Sequence, residues 1–404
     1  MFRASSHPFI SFEMKLDSLQ SADWIKLGEA MSKCEHLSGI PLKPAAANHL
    51  SQIYLARGVH ATTAIEGNTL PQETAEQLVA GEATGVPSSQ HYLEQELKNV
   101  LEAVTIIDTA LAEGRSLPID TDFLCGMNEL LLRDTEQPAH VRPGEIRTYP
   151  VGVNSYRAPE SLDVEPLLNE FVNWLDRIRQ PVDNSLETRF VAAVISAILA
   201  HLYLAWIHPF GNGNGRLARL IEVQILSESG VVPIVATNLL SNHYNMTREA
   251  YYRALDAARE SPRAFIGYSL GGFVDGLRGQ IDEVKRQSLV VHWESFVFEQ
   301  FQNQPNTDAR SRQRALALAM PDRPVSPEEA VELTPRLARL YAKTGDRTPA
   351  RDLNALSKMG LVSRVGPRRY ASNSQMIEAF IPPVASNQPP PPPIRDRGDQ
   401  HQLF

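Results

Sequence analysis

The chain has 404 residues, 43% of them hydrophobic and 21% charged, with a net charge of −8. At about 100–200 residues per domain that length predicts two or three domains with a real core. The acidic balance argues against a global nucleic-acid footprint. The two distant cysteines, Cys34 and Cys125, argue against a disulfide framework or a cysteine metal site and fit a reducing cytoplasm.

Met1–Lys15 has no basic start followed by a long apolar run, so no signal peptide is expected. Most of the remaining chain reads as helix. Arg147–Val153 (RTYPVGV) is β-like, and Tyr156–Pro159 closes a hairpin or flap. Val164–Ile178 repeats apolar residues at i, i+3 and i+4, which predicts an amphipathic helix. Ser185 is placed as an N-cap for a helix over 186–207. Its stretch Phe190–Ile207 (FVAAVISAILAHLYLAWI) has the length of a bilayer span. A helix apolar on every side is buried, in a membrane or in a large core. His201 sits inside it, no second span accompanies it, and it runs into a Gly/Asn loop, so the core reading is preferred and no membrane is expected. Leu217–Glu228 predicts a second apolar helix that stops at Gly230. Thr247–Arg259 and Pro262–Leu277 also read as helices, and no internal repeat is visible.

Near residue 300 the composition changes. Asn303–Asp308 is a polar linker, and residues 301–380 hold 13 Lys and Arg against 8 Asp and Glu. Pro389–Pro393 opens a tail too polar to bury a core, which is expected to be extended and disordered.

The chemistry concentrates in His208–Arg219, HPFGNGNGRLAR. A His-Pro-Phe alone means little, since His7–Phe9 repeats it without such a sequel. After the second copy, Gly211, Gly213 and Gly215 alternate with Asn212 and Asn214 before a helix begins. Glycines let backbone N–H groups approach an anion, and a helix N-terminus favours one. Arg216 and Arg219 fall in the first turns of that helix, where guanidinium groups suit phosphate. The residues thus describe a phosphate cradle with a histidine at its lip. The other reading is a Gly-rich turn between core helices, with arginines on a solvated face.

This pattern closely resembles the Fic family signature, HxFx(D/E)GNGRxxR. The resemblance extends over about residues 50–275, through LAHLYLAWI, the flap-like RTYPVGVNSYRAP and Tyr251-Tyr252 with Leu255. It implies an all-α Fic fold, a helical bundle with a β-hairpin flap, that transfers AMP from ATP to a Tyr, Thr or Ser hydroxyl of a protein. By the same resemblance His208 is the general base. Gly211, Asn212, Gly213, Asn214 and Gly215 hold the nucleotide's phosphates, and Arg216 and Arg219 bind those that leave. Tyr203 and Tyr252 are placed at the nucleotide, with core packing as the other reading of each. The flap clamps the target by strand addition. Relatives that act as kinases carry Lys where Gly215 stands, so Gly215 favours nucleotidyl transfer.

One position departs. Asn212 replaces the acidic residue that binds Mg²⁺ in the family. An amide oxygen brings no charge to a hard cation. The expectation is therefore a weakly held Mg²⁺ or Mn²⁺, another phosphate donor, or a binding-only fold. Thr62–Asn68 (TTAIEGN) resembles the family's inhibitory helix, which implies that Glu66 pairs with Arg219 in the place of the ATP γ-phosphate.

Residues 326–371 resemble a small α/β winged-helix domain. Thr348-Pro349 starts its recognition helix, which ends near Met359-Gly360. Leu361–Val365 and Arg369–Ala371 form the wing around Gly366-Pro367. Arg351, Lys358, Arg364, Arg368 and Arg369 are candidates for DNA phosphates. Protein docking and a homodimer are the other uses of such a module. The expected domains are an N-terminal helical region over 1–110 with the inhibitory helix near 58–68, a Fic core over 111–285, a connecting helix over 286–300, a winged helix over 301–380 and a tail over 381–404. The alternative function is a nucleotide-sensing, DNA-binding regulator.

Overall fold

A computed structural model describes residues 7–13, 16–42, 44–153 and 156–377. The expected proline-rich tail, Pro389–Pro393 included, lies outside the described residues. Contacts divide the chain into two compact units, with the boundary after Glu283.

The first unit is helical. In order it contains α1 (Ser21–Gly39), α2 (Pro44–Ile65), α3 (Gln72–Val79), α4 (His91–Ala112), α5 (Thr121–Leu132), β1 (Gly152–Val153), β2 (Tyr156–Arg157), α6 (Ser161–Ile178), α7 (Leu186–Ile207), α8 (Asn214–Glu228), α9 (Leu239–Met246) and α10 (Arg248–Ala257). It closes with the first half of α11 (Pro262–Gln302), whose second half, from Val284, belongs to the second unit.

The centre is the α7–α8 pair. The α7 sequence is long and apolar enough to cross a membrane, yet most of it is buried inside this unit. The core explains its apolarity on every side. Ser185 Oγ caps it, accepting the Thr188 N–H at 3.3 Å. At its other end His208 adopts a left-handed backbone, φ 50° and ψ 61°, and the chain reverses at once. The helix α8 begins at Asn214, three residues before the expected start at Leu217, because Gly213 takes φ 78° and turns the chain inward. The helices α2, α4, α5 and α6 pack around this pair.

Two expectations are corrected. The β character expected over 147–153 is confined to Gly152 and Val153, paired antiparallel with Arg157 and Tyr156. Pro150 and the buried Arg147 keep the preceding residues irregular. The helix expected to end at Leu277 continues to Gln302, running through Gly279, and no proline interrupts it. The His-Pro-Phe copy at residues 7–9 is not idle either. His7 Nε2 lies 2.8 Å from the Arg157 carbonyl, and Phe9 meets Trp206 edge to face at 5.0 Å, so the segment braces the flap from below.

The second unit contains α12 (Asp308–Ala319), α13 (Pro327–Glu332), α14 (Pro335–Tyr341), α15 (Thr348–Lys358) and the hairpin β3 (Val362–Gly366) with β4 (Arg369–Ser372). Caps set its helix starts. Thr307 Oγ1 accepts the Arg310 N–H at 3.3 Å, and Ser326 with Glu329 forms a capping box. Val297, Leu316, Leu337, Leu353, Leu356 and Tyr370 form its core.

Candidate active site

A cavity opens where the turn after α7 meets the flap. His208, Gly215 and Arg219 line one side of it, with Tyr251, Tyr252 and Leu255 opposite. Val153 and Tyr156 of the flap and Glu66 at the end of α2 complete the wall.

His208 Nδ1 faces the Ala205 carbonyl at 3.3 Å. A carbonyl only accepts, so Nδ1 carries the proton and Nε2 keeps a bare lone pair. Burial pushes the imidazole down to about 4. The Ala205 carbonyl and Glu66 oppose that shift, and the Arg147 charge adds to it. At neutral pH the ring is an uncharged acceptor.

Arg219 is 1% exposed and held from three directions. Its Nε donates to Thr62 Oγ1 at 2.7 Å, and Nη2 donates to the Thr62 carbonyl at 3.0 Å and to Glu66 Oε1 at 2.6 Å. Its Nη1 is buried and has no partner among the described residues. Burial alone would raise the Glu66 carboxyl. The charge and hydrogen bond of Arg219, with help from Arg216 and His208, outweigh that and hold it below its usual value. A side chain at Gly215 has no room here, since a Cβ would stand 2.3 Å from Glu66 Oε1 and 3.1 Å from Arg219 Nη1.

The loop holds its shape through its own polar groups. Asn214 Oδ1 accepts the Phe210 N–H at 2.9 Å, and its Nδ2 donates back to the Phe210 carbonyl at 2.8 Å. Asn128 on α5 donates to the Asn212 carbonyl at 2.9 Å and accepts the Gly144 N–H at 3.0 Å. Gly213 combines φ 78° with an Asn128 Nδ2 only 2.9 Å from where a Cβ would sit. Gly213→Ala is therefore expected to cost about 1–3 kcal/mol. A urea titration reads this directly, and an unchanged midpoint contradicts it.

A histidine acceptor, an orphaned arginine donor and a glycine turn thus meet in one cavity. The Fic/DOC family profile matches residues 118–226, which include the loop. Residues 118–226 thus match a Fic domain. Protein adenylyltransferase Fic of Drosophila ananassae is 27% identical over 270 residues, 66% of this chain and 49% of that protein. Protein adenylyltransferase fic-1 of Caenorhabditis elegans is 29% identical over 212 residues, 52% of this chain and 38% of that protein. The chain spans about half the length of the curated relatives it matches. Among solved structures, a Fic family protein from Desulfovibrio desulfuricans shares the fold with a TM-score of 0.53 at 20% identity, over 88% of this chain and 96% of that one. Fic-1 of C. elegans gives 0.51 at 25% identity, over 65% of this chain and 73% of that one.

Around this cavity the expected residues separate. His208, Gly215, Arg219, Tyr252 and Glu66 line the cavity. Gly211, Asn212, Gly213 and Asn214 shape the loop behind it. Two placements need correction. Tyr203 is fully buried, with its ring stacked on Phe12 at 4.8 Å and against Trp174 at 4.6 Å, so it belongs to the core. Arg216 turns away from the cavity and meets Glu96 Oε1 of α4 at 3.4 Å. Glu96 also accepts from Asn68 at 2.9 Å, which ties the segment after Glu66 to the start of α8.

The Asn212 side chain is already committed. Its Oδ1 accepts the Gly213 N–H at 2.7 Å, and its Nδ2 donates to Gln137 Oε1 at 2.8 Å. A cation at this loop would find no charge on Asn212 and an oxygen that already accepts one hydrogen bond, so this side chain is a poor fit for Mg²⁺ or Mn²⁺. No group of three or more His, Cys, Asp or Glu side chains suited to a metal occurs among the described residues.

Several contributors are not singled out by the sequence alone. Arg147, 3% exposed, donates from Nε to the His208 carbonyl at 2.8 Å, from Nη1 to the Tyr149 carbonyl at 3.0 Å and from Nη2 to the Pro159 carbonyl at 2.6 Å. It pins both stems of the flap to the turn that carries His208. Behind Tyr251 lies a buried polar chain. His201 Nε2 is 2.8 Å from the Tyr251 hydroxyl, and His201 Nδ1 is 2.9 Å from Glu222 Oε2. The Tyr244 hydroxyl donates to the same carboxylate at 2.9 Å. Of these residues Arg147 opens the β-like stretch, His201 interrupts the apolar helix and Tyr251 lies in the stretch that carries the resemblance, while Glu222 and Tyr244 leave no trace in the sequence.

Proposed function

We propose that this chain is a protein adenylyltransferase that restrains itself through Glu66. His208 Nε2 takes the proton of a Tyr, Thr or Ser hydroxyl on a target protein. The oxygen attacks the α-phosphate of ATP, a P–O bond forms to it, and the bond to pyrophosphate breaks. Arg219 stabilises the charge that gathers on the leaving phosphates, and Tyr252 packs against the nucleotide. The flap strands β1 and β2 hold the target segment by strand addition. The observation that carries this reading is the pairing, across Gly215, of a neutral histidine acceptor with a buried arginine donor that lacks a partner.

Glu66 occupies the guanidinium edge that a terminal phosphate would use. No step of this reading runs through a divalent cation, because the Asn212 oxygen is already bonded within the loop. Cys34 and Cys125 are both unpaired, which suits a reducing cytoplasm. Incubation of Glu66→Gly with ATP labelled at the α- or the γ-phosphate tests the reaction. Label from the α-position on protein is expected. Label from the γ-position alone means phosphotransfer and overturns the reading. Asn212 favours a second reading, a nucleotide-binding sensor without transfer, which ATP binding with no covalent product would select.

The histidine also sets a pH dependence. Its folded value of about 4 lies below its ordinary 6.5, so the catalytic form persists as pH falls through 6.5. Transfer is expected to stay level from pH 8 to below 6. In the same window the unfolded chain takes up the proton first, so stability declines as pH falls from 6.5 toward 4. The decline should be shallower in His208→Gln, as urea midpoints across that range would show. A rate that halves near pH 6.5 contradicts the assignment.

A further inference from the structure

We propose that a buried polar chain, Tyr251–His201–Glu222–Tyr244, positions α10 as the nucleotide-facing wall of the cavity, and that His201 and Glu222 are positioning residues for a nucleotide they do not touch. The inference rests on the reading of the cavity as an ATP site.

The ten-residue helix α10 (Arg248–Ala257) buries a single side chain, Tyr251. Tyr252 and Leu255 of the same helix reach the cavity while only half-buried. A short helix draws its stability from the face it packs, so the place of α10 depends on its one buried residue.

Tyr251 is held by its ring and by its hydroxyl. The ring stacks on Tyr244 at 4.8 Å, and the Tyr252 ring lies 5.1 Å from it. A shift of Tyr251 is therefore passed to the ring that meets the nucleotide, since packed side chains transmit displacement. The hydroxyl lies 2.8 Å from His201 Nε2. Either imidazole tautomer can make that contact, because a phenol both donates and accepts.

Each partner behind this contact is itself fixed. His201 is fully buried, and its Nδ1 stands 2.9 Å from Glu222 Oε2. Its ring meets Tyr244 edge to face at 5.1 Å. The Tyr244 hydroxyl donates to Glu222 Oε1 at 2.9 Å, so Ser269 Oγ, 3.1 Å away, is the donor of their own contact. The chain joins α7, α8, α9, α10 and α11.

Burying a carboxylate and an imidazole among aromatic rings is costly, and apolar side chains of similar volume would fill the space without that cost. Apolar packing does not supply direction. A ring tethered by a hydrogen bond to a satisfied network has one orientation. The cavity wall includes none of His201, Glu222 and Tyr244, so their effect on a ligand passes through Tyr251.

The test measures ATP affinity by titration calorimetry in the full chain carrying Glu66→Gly, with tripolyphosphate as a second ligand. Tyr251→Phe keeps the ring and removes the tether. It should weaken ATP about three- to tenfold, the worth of one hydrogen bond. Tripolyphosphate has no nucleoside to meet α10 and should bind unchanged. His201→Phe should match this loss, and the double replacement should weaken ATP no further, because both changes break one tether. Glu222→Ala should lose as much, and Glu222→Gln, of equal length, should recover most of it. Circular dichroism confirms that each titrated protein is folded. If His201→Phe does not fold, Tyr251→Phe with the two ligands decides alone. Three outcomes overturn the inference while the ATP-site reading stands. Unchanged ATP affinity in Tyr251→Phe leaves the chain a structural role only. Equal weakening of tripolyphosphate places the effect at Arg219 rather than at α10. Additive losses in the double replacement separate Tyr251 from His201. A Glu66→Gly chain that binds no ATP overturns the reading of the cavity, and the inference falls with it.

Discussion

Glu66→Gly is expected to raise both apparent ATP affinity and protein labelling by roughly ten- to a hundredfold. That magnitude comes from the bond that must be broken. Glu66 Oε1 accepts from Arg219 Nη2 at 2.6 Å, and Arg219 is buried. A charge-assisted hydrogen bond of this kind contributes about 1.5–3 kcal/mol, and a terminal phosphate must displace it. Removing the carboxylate leaves Thr62 to hold Nε and Nη2, so the guanidinium keeps its place while its charge becomes available. Gly67 follows at φ 103°, and Glu66 itself stands at the exposed end of α2, so the fold should tolerate the change. Titration calorimetry with ATP and a labelling time course separate the two effects. Equal affinity in both proteins removes Glu66 as the restraint.

Arg147→Ala is expected to lower transfer by about a hundredfold and to destabilise the first unit by about 3–5 kcal/mol. The side chain donates to the carbonyls of His208, Tyr149, Pro159 and Ile207, and the Arg147 backbone N–H bonds to the Pro209 carbonyl at 3.0 Å. Truncation strands several buried carbonyls at once, each costing about 1–3 kcal/mol when left unpaired. It also frees the left-handed turn at His208, where a displacement of about 1 Å suffices for a hundredfold loss of rate. The signature is a fall in kcat larger than any rise in KM for ATP, because the nucleotide's own contacts stay in place. Arg147→Lys should recover part of the stability, since one ammonium reaches fewer of these carbonyls. A urea midpoint unchanged in Arg147→Ala contradicts this role for the side chain.

The parts legible in the sequence are those dictated by local backbone chemistry. Ser185 marks the start of α7, and the run Gly211–Gly215 marks a turn because few other residues tolerate such close approach. The Thr62 and Glu66 spacing is readable because both contacts to Arg219 come from a single helix end. The hidden parts depend on partners far away in the chain. Nothing near Arg147 announces four carbonyls, and nothing near Asn128 announces a loop 84 residues later. Tyr203 and Tyr252 look alike as residues, yet one faces Phe12 and Trp174 and the other faces the cavity. Arg216 and Arg219 diverge in the same way, toward Glu96 and toward Glu66. The continuity of α11 past Leu277 is not legible, because Gly279 reads as a stop although the helix runs through it, whereas its end at Gln302 falls where the polar linker Asn303–Asp308 begins.

The most direct measurement of the central claim is the intact mass of the Glu66→Gly chain after incubation with ATP, beside the same chain carrying His208→Ala. A gain of one or more AMP units is predicted in the first protein and none in the second. No gain in the first, with ATP bound, contradicts a transferase, and an equal gain in both contradicts His208 as its base.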